Sequence, residues 1–322
     1  MNAIVVKQFG DPEVLTEQEV DRPEAGSGEY LVKLNAVGIN PVETYVRSGN
    51  YAKLPELPYT PGTDGAGVIE ACGSGAEKFA VGERVYLSGS RTGTYAEYAV
   101  GSEGDVHKLP GGVSFAQGAA IGIPYATAIR AVKQRGRAQS GETILIHGAT
   151  GGVGLACVQY AKSLGLRVLG TGGSDDGRKL VLANGADEVF DHHDEDYCDR
   201  IVAVADGVDL IIEMLANENL ASDLKMIGKG GRIVIVGSRG PIEINPRGLM
   251  VNDVDVRGMV LPNASDDERA EFDRVIGSGL SDRSLRPVIG RKFLLGDAVD
   301  AHREIMNSSA GGKMILSPCA HA

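Results

Sequence analysis

The sequence predicts an α/β protein with a β-rich first part and a doubly wound parallel sheet in its second part. Up to about Leu109, short β-branched and aromatic runs are separated by glycine, proline and serine, a pattern typical of strands and turns: 28–37, 65–72, 82–87 and 94–100. From Glu142 onward, strand-length apolar runs alternate with segments of helical period, which predicts parallel strands joined by helices. A chain of 322 residues is long enough for two domains.

The remaining elements follow in chain order. Ser114 and Gln117 form a capping-box pair that begins a helical stretch running to about Ala131. In the second part, strands are predicted at 143–147, 167–170, 208–213, 232–237 and 254–260, and helices at 152–164, near 178–184 and between the third and fourth strands. The tail predicts a strand at 287–289, a helix at 297–307 and a strand at 313–316. We expect this late β piece to complete the first domain.

Composition and charge exclude several classes of protein. A net charge of −11 argues against broad electrostatic capture of nucleic acid, which needs clustered lysine and arginine. Segment 1–9 lacks the charged start and apolar core of a signal peptide, and no apolar run reaches the roughly 18 residues of a membrane span. The cysteines are scattered, so we expect reduced thiols in a cytoplasmic protein: Cys72, Cys157, Cys198 and Cys319.

A glycine-rich turn from Gly148 to Gly154 indicates a dinucleotide site. The strand predicted at 143–147 runs directly into Gly-x-x-Gly-Gly-x-Gly, and a helix follows. Glycine lets the backbone approach a pyrophosphate, and a helix N-terminus supplies free N–H groups and a positive dipole end. The last glycine permits close packing of the helix against the strand. Strand, turn and helix all stand where a dinucleotide-binding motif requires them.

The end of the second strand favours NADPH over NADH. Folds specific for NAD carry an acidic residue there, about 20 residues after the first glycine, which binds the ribose hydroxyls. Here the segment 169–174 has no carboxylate that would repel a 2′-phosphate. Arg178 and Lys179 follow and could face that phosphate, whereas Asp175 and Asp176 are interpreted as acidic residues at a helix start.

Several longer motifs together resemble one family. They are 40–51, which begins Asn-Pro-Val-Glu-Thr-Tyr, then 57–64, 117–125, 147–154, 211–217, and 236–240 with 244–246. The chain resembles the zeta-crystallin type of NADPH:quinone reductase in the medium-chain dehydrogenase/reductase superfamily, and the resemblance extends from near Pro12 to Leu316. The resemblance implies a GroES-like catalytic domain made of 1–118 and 262–322, and a Rossmann domain over 119–261.

The same resemblance implies which residues contact NADPH. Besides Tyr45 of the first domain, the candidates belong to the predicted Rossmann domain: Thr127, Thr150, Gly151, Gly152, Val153, Gly173, Ser174, His192, Asn219, Val236, Gly237, Ser238 and Arg239. His192 is expected to pack beside the adenosine 2′-phosphate or to hydrogen-bond to it. Several bacterial members have a phosphate-binding lysine where this chain has Gly177, so Arg178 and Lys179 would be displaced substitutes.

Comparison with the zinc alcohol dehydrogenases of that superfamily predicts that no metal takes part. Those enzymes place a cysteine and a His-Glu pair in the early loops, where this chain has Asn40 and Thr63-Asp64. A catalytic zinc needs three N, S or O ligands from the protein. The six histidines show no metal-ligand spacing, and the adjacent pair 192–193 would point apart on a strand.

Without a metal to polarise a carbonyl, the substrate must accept reducing equivalents readily. Quinones fit this requirement because their reduction gains aromaticity, and family members are associated with one-electron reduction to the semiquinone. Asn40, Tyr45, Tyr51 and Thr63 lie in loops expected to line the substrate pocket. Either Tyr45 or Tyr51 is predicted to donate a hydrogen bond to the developing oxyanion, unless both only wall the pocket.

Two other functions stay open at this point. An enone or alkenal reductase would share the fold and NADPH and differ only in its acceptor. Zeta-crystallin relatives have also been linked to AU-rich RNA, although a charge of −11 and 5% aromatic residues argue against a dedicated RNA surface. The resemblance further favours a homodimer or homotetramer assembled through edge strands of the Rossmann sheet.

Overall fold

The computed structural model describes residues 1–307 and 311–318 and divides into two units. Unit 1 contains Met1–Ile123 and the chain from Pro287 onward, whereas unit 2 contains Pro124–Arg286. The first boundary falls close to the predicted 118/119. The prediction at 261/262, by contrast, lies well before the second boundary. The segment between the two belongs to unit 2, not to the first domain.

The elements are numbered in chain order. The strands are β1 (Asn2–Val5), β2 (Thr16–Glu19), β3 (Glu29–Gly38), β4 (Asp64–Cys72), β5 (Arg84–Ser88), β6 (Tyr98–Ser102), β7 (Val106–Lys108), β8 (Thr143–Ile146), β9 (Arg167–Thr171), β10 (Glu188–Phe190), β11 (Val208–Glu213), β12 (Ile227–Ile235), β13 (Asp255–Gly258), β14 (Ile289–Leu294) and β15 (Lys313–Ser317). The α-helices are α1 (Pro41–Arg47), α2 (Phe115–Gly118), α3 (Gly122–Ile129), α4 (Gly152–Ser163), α5 (Asp175–Ala183), α6 (Tyr197–Ala205), α7 (Ala216–Met226), α8 (Arg247–Val251), α9 (Asp266–Asp282) and α10 (Ala298–Asn307). A π-helical stretch, Arg130–Arg135, continues α3. None of the described helices combines the length and the apolar character needed to cross a membrane.

Unit 1 is a β-rich domain built on one mixed sheet. Its strand order is β14-β15-β3-β4-β5-β7, and β6 also pairs with β3. β15 lies parallel to β14 and antiparallel to β3, so the C-terminal strand completes the first domain as predicted. The inward-facing side chains pack into one core around the fully buried Tyr30 and Tyr95. This architecture confirms the GroES-like prediction.

Unit 2 is a doubly wound parallel sheet with the order β10-β9-β8-β11-β12-β13. Residues 144–146 of β8 and 210–212 of β11 are completely buried, as expected for strands covered on both faces. The direction of winding reverses between β8 and β11. In such sheets ligands bind beyond the carboxyl ends of the strands at this switch point. The Rossmann prediction is confirmed.

Helix α9 explains why the second domain boundary differs from the prediction. Arg130 in unit 2 forms an ion pair of 2.5 Å with Glu268 of α9, and the Gln134 side chain donates to Glu271 at 2.9 Å. α9 begins with a capping box at Ser265, a signal present in the sequence but not used there. These side-chain contacts attach the helix to unit 2.

Other differences concern short elements. β14 covers Ile289–Leu294 rather than 287–289, and its pairing with β15 runs from Ile289 opposite Lys313 to Leu294 opposite Ser317. β6 begins at Tyr98 rather than at 94, since Thr94 N–H bonds to Pro61 O in a loop. Helix α1 was not predicted, because its seven residues are too few for a clear helical period.

Candidate functional site

The glycine-rich turn lies at the carboxyl end of β8 in unit 2. Gly148 has a φ of +57°, and Gly151 is the N-cap of α4 without a side-chain cap. A Cβ at Gly154 would lie 2.4 Å from Gly148 O and 2.6 Å from Ala149 Cα, so helix and turn are in direct backbone contact. Gly151 N–H donates to Gly148 O at 3.1 Å within the turn, whereas the N–H groups of Gly152 and Val153 in the first turn of α4 suit a pyrophosphate. The turn fits a dinucleotide.

The end of β9 holds this turn in place. Gly148 N–H donates to Thr171 Oγ1 at 3.2 Å, and Ala149 N–H donates to Thr171 O at 3.1 Å. The same hydroxyl lies 3.4 Å from Nδ1 of His147. Because Thr171 is buried, the turn keeps a fixed position relative to two neighbouring strand ends.

Gly173 lies against the imidazole rings of His192 and His193. A Cβ at Gly173 would lie 2.9 Å from His192 Nε2 and 2.5 Å from His193 Cε1. The two ring centroids are 4.4 Å apart, so the expectation that these histidines point apart was wrong. β10 ends at Phe190, and the pair lies in the loop that follows, where side chains no longer alternate. Burial and the neighbouring His193 lower the pKa of His192.

Arg178 is engaged with carboxylates next to this loop. Its Nη1 donates to Asp191 Oδ2 at 2.5 Å and to Gly172 O at 3.1 Å, and its Nη2 donates to Asp175. Asp191 also accepts from His193 Nδ1 or pairs with it at 3.0 Å. The Arg178 guanidinium thus neutralises the charge of Asp191, a carboxylate that was not considered in the sequence analysis. A role of Arg178 toward a 2′-phosphate stays a prediction.

Lys179 and Ser174 have ordinary helical surroundings in α5. The Lys179 side chain is 77% exposed and lies 3.6 Å from Asp176. Ser174 Oγ accepts from Gly177 N–H at 3.2 Å and caps the helix. Asp175 and Asp176 occupy the first turn, as the sequence indicated. Cofactor contacts by Lys179 and Ser174 stay predictions.

Three buried titratable side chains meet at the ends of β8 and β11. His147 Nε2 lies 2.9 Å from Asp223 Oδ1 and 3.8 Å from Glu213 Oε2. All three residues are at most 2% exposed. Glu213 Oε2 and Asp223 Oδ2 have no hydrogen-bond partner within the described part of the chain. Sequence reasoning missed this cluster, since His147 and Asp223 are 76 residues apart.

The pKa values of Glu213 and His147 are both raised in this cluster. Burial raises the pKa of Glu213 to about 7, with His147 opposing the rise and Asp223 adding to it. For His147, burial lowers the pKa, but the hydrogen bond and charge of Asp223 outweigh it, and the pKa is raised. The three ligand atoms lie within 4.8 Å of one another and could hold a metal ion. That the protein needs no metal therefore stays a prediction.

Glu213 also orients a predicted cofactor residue. Its Oε1 accepts from Asn219 Nδ2 at 3.1 Å and from Leu215 N–H. Asn219 lies in the first turn of α7, directly after β11. The Asn219 amide is therefore held by a buried carboxylate at the carboxyl edge of the sheet.

The predicted segment 236–239 follows β12 at the same edge. Val236 N–H donates to Glu213 O at 2.8 Å, and a Cβ at Gly237 would lie 2.4 Å from Met214 O. Only glycine permits that approach. The structure thus brings 236–239 beside the segment that carries Glu213, whereas Thr127 lies buried in α3 and its cofactor role stays a prediction.

In unit 1, Asn40 belongs to a buried polar corner, which we define as Asn40, Glu43, Asp64 and Lys313. Asn40 Nδ2 donates to Asp64 Oδ2 at 3.0 Å and to Glu43 Oε1 at 3.2 Å, and its Oδ1 accepts from Lys313 Nζ. Lys313 Nζ also lies 2.9 Å from Asp64 Oδ2. Both amide hydrogens of Asn40 are engaged with protein groups. The predicted catalytic role of Asn40 would therefore need these bonds to break.

The corner continues into a second hydrogen-bonded chain. Glu43 Oε2 accepts from Tyr95 OH at 2.7 Å, and this hydroxyl lies 3.0 Å from His302 Nε2. Burial raises the pKa of Glu43 to about 6, against the opposing charge of Lys313. Burial lowers the pKa of His302 to about 3, so this imidazole is neutral at physiological pH.

The other predicted catalytic residues are Tyr45, Tyr51 and Thr63. Tyr45 on α1, Tyr51 in the following loop and Thr63 next to Asp64 are each half-buried. Neither tyrosine hydroxyl has a hydrogen bond to another described residue. Both phenols are therefore available as donors.

Known proteins match the chain over both units. The family model "Alcohol dehydrogenase GroES-like domain" matches residues 26–111, and "Zinc-binding dehydrogenase" matches 152–277. Mouse quinone oxidoreductase is 49% identical over 98% of this chain and 97% of its own length. The human quinone oxidoreductase is 47% identical over the same shares. The chain belongs to the zeta-crystallin-type quinone oxidoreductase family.

A solved member of the wider quinone oxidoreductase group agrees in fold. The Escherichia coli quinone oxidoreductase, determined as a complex with NADPH, superposes with a TM-score of 0.89 at 28% identity. The match covers 99% of this chain and 100% of that one. The name of the second family model raises the question of zinc. In this quinone oxidoreductase family member the ammonium of Lys313 already bonds to Asn40 and Asp64, so these positions do not fit a metal ion.

Proposed function

We propose that this protein reduces quinones with NADPH and without a catalytic metal. The observation that carries the proposal is the 49% identity to mouse quinone oxidoreductase along nearly the whole chain. The uncapped start of α4 beside the glycine-rich turn supports a dinucleotide. When bound, NADPH supplies a hydride. The residues of the chain have to bind it, orient it and exclude water.

The binding roles are assigned by contacts within unit 2. Segment 150–153 would contact the pyrophosphate, with the backbone N–H groups of Gly152 and Val153 at the start of α4 as donors. Asn219, fixed by Glu213, would donate its amide to the cofactor. His192, whose ring lies against the Gly173 backbone, would pack beside the adenosine 2′-phosphate or hydrogen-bond to it. Arg178 supports NADPH over NADH, because it neutralises the nearby carboxylate of Asp191.

A coenzyme and acceptor panel tests this function. Purified protein is assayed with NADPH and NADH against ortho-quinones and α,β-unsaturated aldehydes, with and without a metal chelator. We expect kcat/KM for ortho-quinones to exceed that for the aldehydes by about tenfold or more, with NADPH preferred and the chelator without effect. A preference for the aldehydes would indicate a double-bond reductase instead. Equal use of NADH, or loss of activity with chelator, would contradict the cofactor or the metal assignment.

We propose that Tyr45 or Tyr51 donates a hydrogen bond to the reduced oxygen of the quinone, because both hydroxyls are free of described partners. Losing one such donor costs on the order of 10²-fold in kcat. We expect Tyr45→Phe or Tyr51→Phe to lower kcat by about 10–100-fold. NADPH affinity should stay unchanged in Tyr51→Phe, whereas Tyr45 is also a predicted NADPH contact. Tyr98→Phe on β6 is the matched control and keeps full activity. Unchanged kcat in the double variant of Tyr45 and Tyr51 would make them pocket walls.

We further propose a homodimer formed through the β13 edges of unit 2. β13 is the last strand of its sheet, and apolar side chains next to it are exposed: Met250 by 74%, Val251 by 77% and Val260 by 45%. We expect sedimentation velocity to give at least twice the chain mass of 33.7 kDa. Val256→Pro within β13 should shift the protein toward monomer, whereas a wild-type monomer at micromolar concentration would refute this edge pairing.

We also propose a cytoplasmic location. The thiol of Cys72 is exposed and unpaired, which suits a reducing compartment, whereas Cys319 lies outside the described residues. Fractionation of cells that express the chain would test this, and recovery in a secreted fraction would contradict it.

A further inference from the structure

Lys313 reaches the polar corner from the C-terminal strand. Gly38, at the end of β3, pairs with Asp64 on β4 and with Ile315 on β15, so these strands flank it on both sides. A Cβ at Gly38 would lie 2.8 Å from Lys313 Cε and 2.9 Å from Asp64 Cβ. The aliphatic part of the Lys313 side chain therefore passes over Gly38, and any larger residue at position 38 would block its path. The pairing of β3 with β4 and β15 thus brings the lysine to Asp64.

The ammonium is held by oxygen atoms deep in the domain. Lys313 is 4% exposed, Asp64 is fully buried, and Asn40 is 2% exposed. Nζ bonds to Asp64 Oδ2 at 2.9 Å and to Asn40 Oδ1, while Asp64 Oδ1 accepts from Ile123 N–H at 2.9 Å. Lysine is almost never buried at this depth unless it is paired. A buried charge of this kind needs both a counter-ion and further hydrogen bonds, and the corner supplies them.

Asn40 and Asp64 stand where the sequence comparison places metal ligands of zinc alcohol dehydrogenases. A divalent ion would need the lone pairs of Asp64 and Asn40 to which Nζ now donates. The ammonium therefore supplies a positive charge to the oxygen atoms that a metal would otherwise bind. It does so without an open coordination position, so it cannot bind a substrate oxygen as a catalytic metal does.

The corner also fixes the start of α1. Asn40 precedes Pro41 at the helix N-terminus, and its N–H donates to Glu43 Oε2 at 2.9 Å. Lys313 is the group that holds Asn40 Oδ1, and this fixes the amide so that its Nδ2 faces Asp64 and Glu43. α1 carries Tyr45 four residues into the helix, so the placement of the amide sets the placement of the tyrosine.

We propose that Lys313 is a resident cation that replaces the metal of zinc-dependent relatives and acts as a positioning residue for α1 and Tyr45. It acts through Asn40 and does not touch the quinone. The effect on quinone binding rests on the proposed function. The effect on the order of α1 does not, and it can be measured without any substrate.

Two variants distinguish a positioning role of Lys313 from a role only as the ion-pair partner of Asp64. Lys313→Met removes the charge at similar length, and the double variant Lys313→Met/Asp64→Asn removes both charges. Lys292→Met, on the exposed face of β14, is the matched control. The measurements are thermal unfolding, hydrogen–deuterium exchange of the peptide covering 40–51, the Kd of NADPH and the KM of an ortho-quinone.

Lys313→Met alone leaves the Asp64 carboxylate buried without its cation, so we expect its Tm to fall by about 10 °C or more. The double variant should regain most of that Tm, because the pair is removed together. It should still show about tenfold faster exchange in 40–51 and about tenfold higher KM for the quinone, with the Kd of NADPH within about twofold of wild type. Lys292→Met should match wild type throughout.

Three outcomes would overturn the proposal. If the double variant recovered wild-type exchange and KM as well as Tm, Lys313 would be an ion-pair partner and not a positioning residue. If Lys313→Met kept wild-type exchange in 40–51, the ammonium would not order α1. If the polar corner of the wild-type protein bound zinc stoichiometrically, the Lys313 ammonium would not replace a metal. A wild-type protein that reduced no quinone would refute the proposed function, but the exchange result would still decide the role of Lys313.

Discussion

Gly154→Ala should destabilise the protein by about 3 kcal/mol and weaken NADPH binding by on the order of 100-fold. The new Cβ would lie 2.4 Å from Gly148 O and 2.6 Å from Ala149 Cα, which are backbone atoms that cannot rotate away. Overpacking of this kind typically costs 1–3 kcal/mol, and here α4 would have to move off the turn. Urea unfolding and fluorescence titration with NADPH measure the two effects.

Gly151→Ala is the matched control within the same turn. Gly151 has a φ of −80°, and the nearest atom to an added Cβ is Gly148 O at 3.6 Å, so alanine fits the unliganded fold. We expect a change in unfolding free energy within about 0.5 kcal/mol. NADPH should still bind about tenfold more weakly, since the methyl group would stand where the pyrophosphate approaches. Wild-type NADPH affinity in both variants would refute a dinucleotide site at this turn.

Glu213→Gln should make the protein more stable than wild type at pH 8 by about 2–3 kcal/mol and equally stable near pH 5. The native pKa of Glu213 is raised from 4.5 to about 7, mainly by burial. A carboxyl group with a raised pKa binds more protons in the folded state, so stability falls as pH rises from 4.5 through 7. The rise corresponds to roughly 3 kcal/mol. His147 acts in the same direction, since its raised pKa gives stability that is lost as pH rises.

The glutamine side chain preserves the contacts that matter for the fold. Its Oε1 can still accept from Asn219 and Leu215, and its amide group replaces the unpartnered Oε2. Urea unfolding at pH 5, 6.5 and 8 measures how the free energy of unfolding changes with pH. Glu218→Gln, at an exposed position of α7, is the control and should follow the wild-type curve. Parallel curves for wild type and Glu213→Gln would mean that Glu213 does not titrate in this range.

Local patterns in the sequence were sufficient to predict the glycine-rich turn and the parallel sheet of unit 2. The turn from Gly148 to Gly154 was recognisable because strand, glycines and helix follow one another within a dozen or so residues. The alternation of strands and helices then determines the parallel sheet, since each crossover must be long and right-handed. The return of 313–316 to the first domain followed from its position after the Rossmann elements.

The buried clusters could not be predicted, because they depend on distant residues. Lys313 and Asp64 are 249 residues apart, and nothing near either indicates a partner. His147 was interpreted only as the residue before a glycine turn, although Asp223 on α7 faces it. Asp191 was overlooked as it follows a strand of only three residues. In each case the tertiary fold, not sequence spacing, brings the charges together: strand pairing for Lys313 and Asp64, and a helix packed beside a strand end for Asp223 and for Arg178.

The way the chain returns to unit 1 has a consequence for its biosynthesis. Unit 2 is a continuous segment, Pro124–Arg286, so all its strands are available for folding before the tail leaves the ribosome. Unit 1 must wait for β15, which covers the edge of β3 and delivers Lys313 to Asp64. Until then the nascent domain has an unpaired strand edge and a carboxylate without its cation. Premature termination after Arg286 should therefore yield an aggregation-prone first domain beside a folded second one.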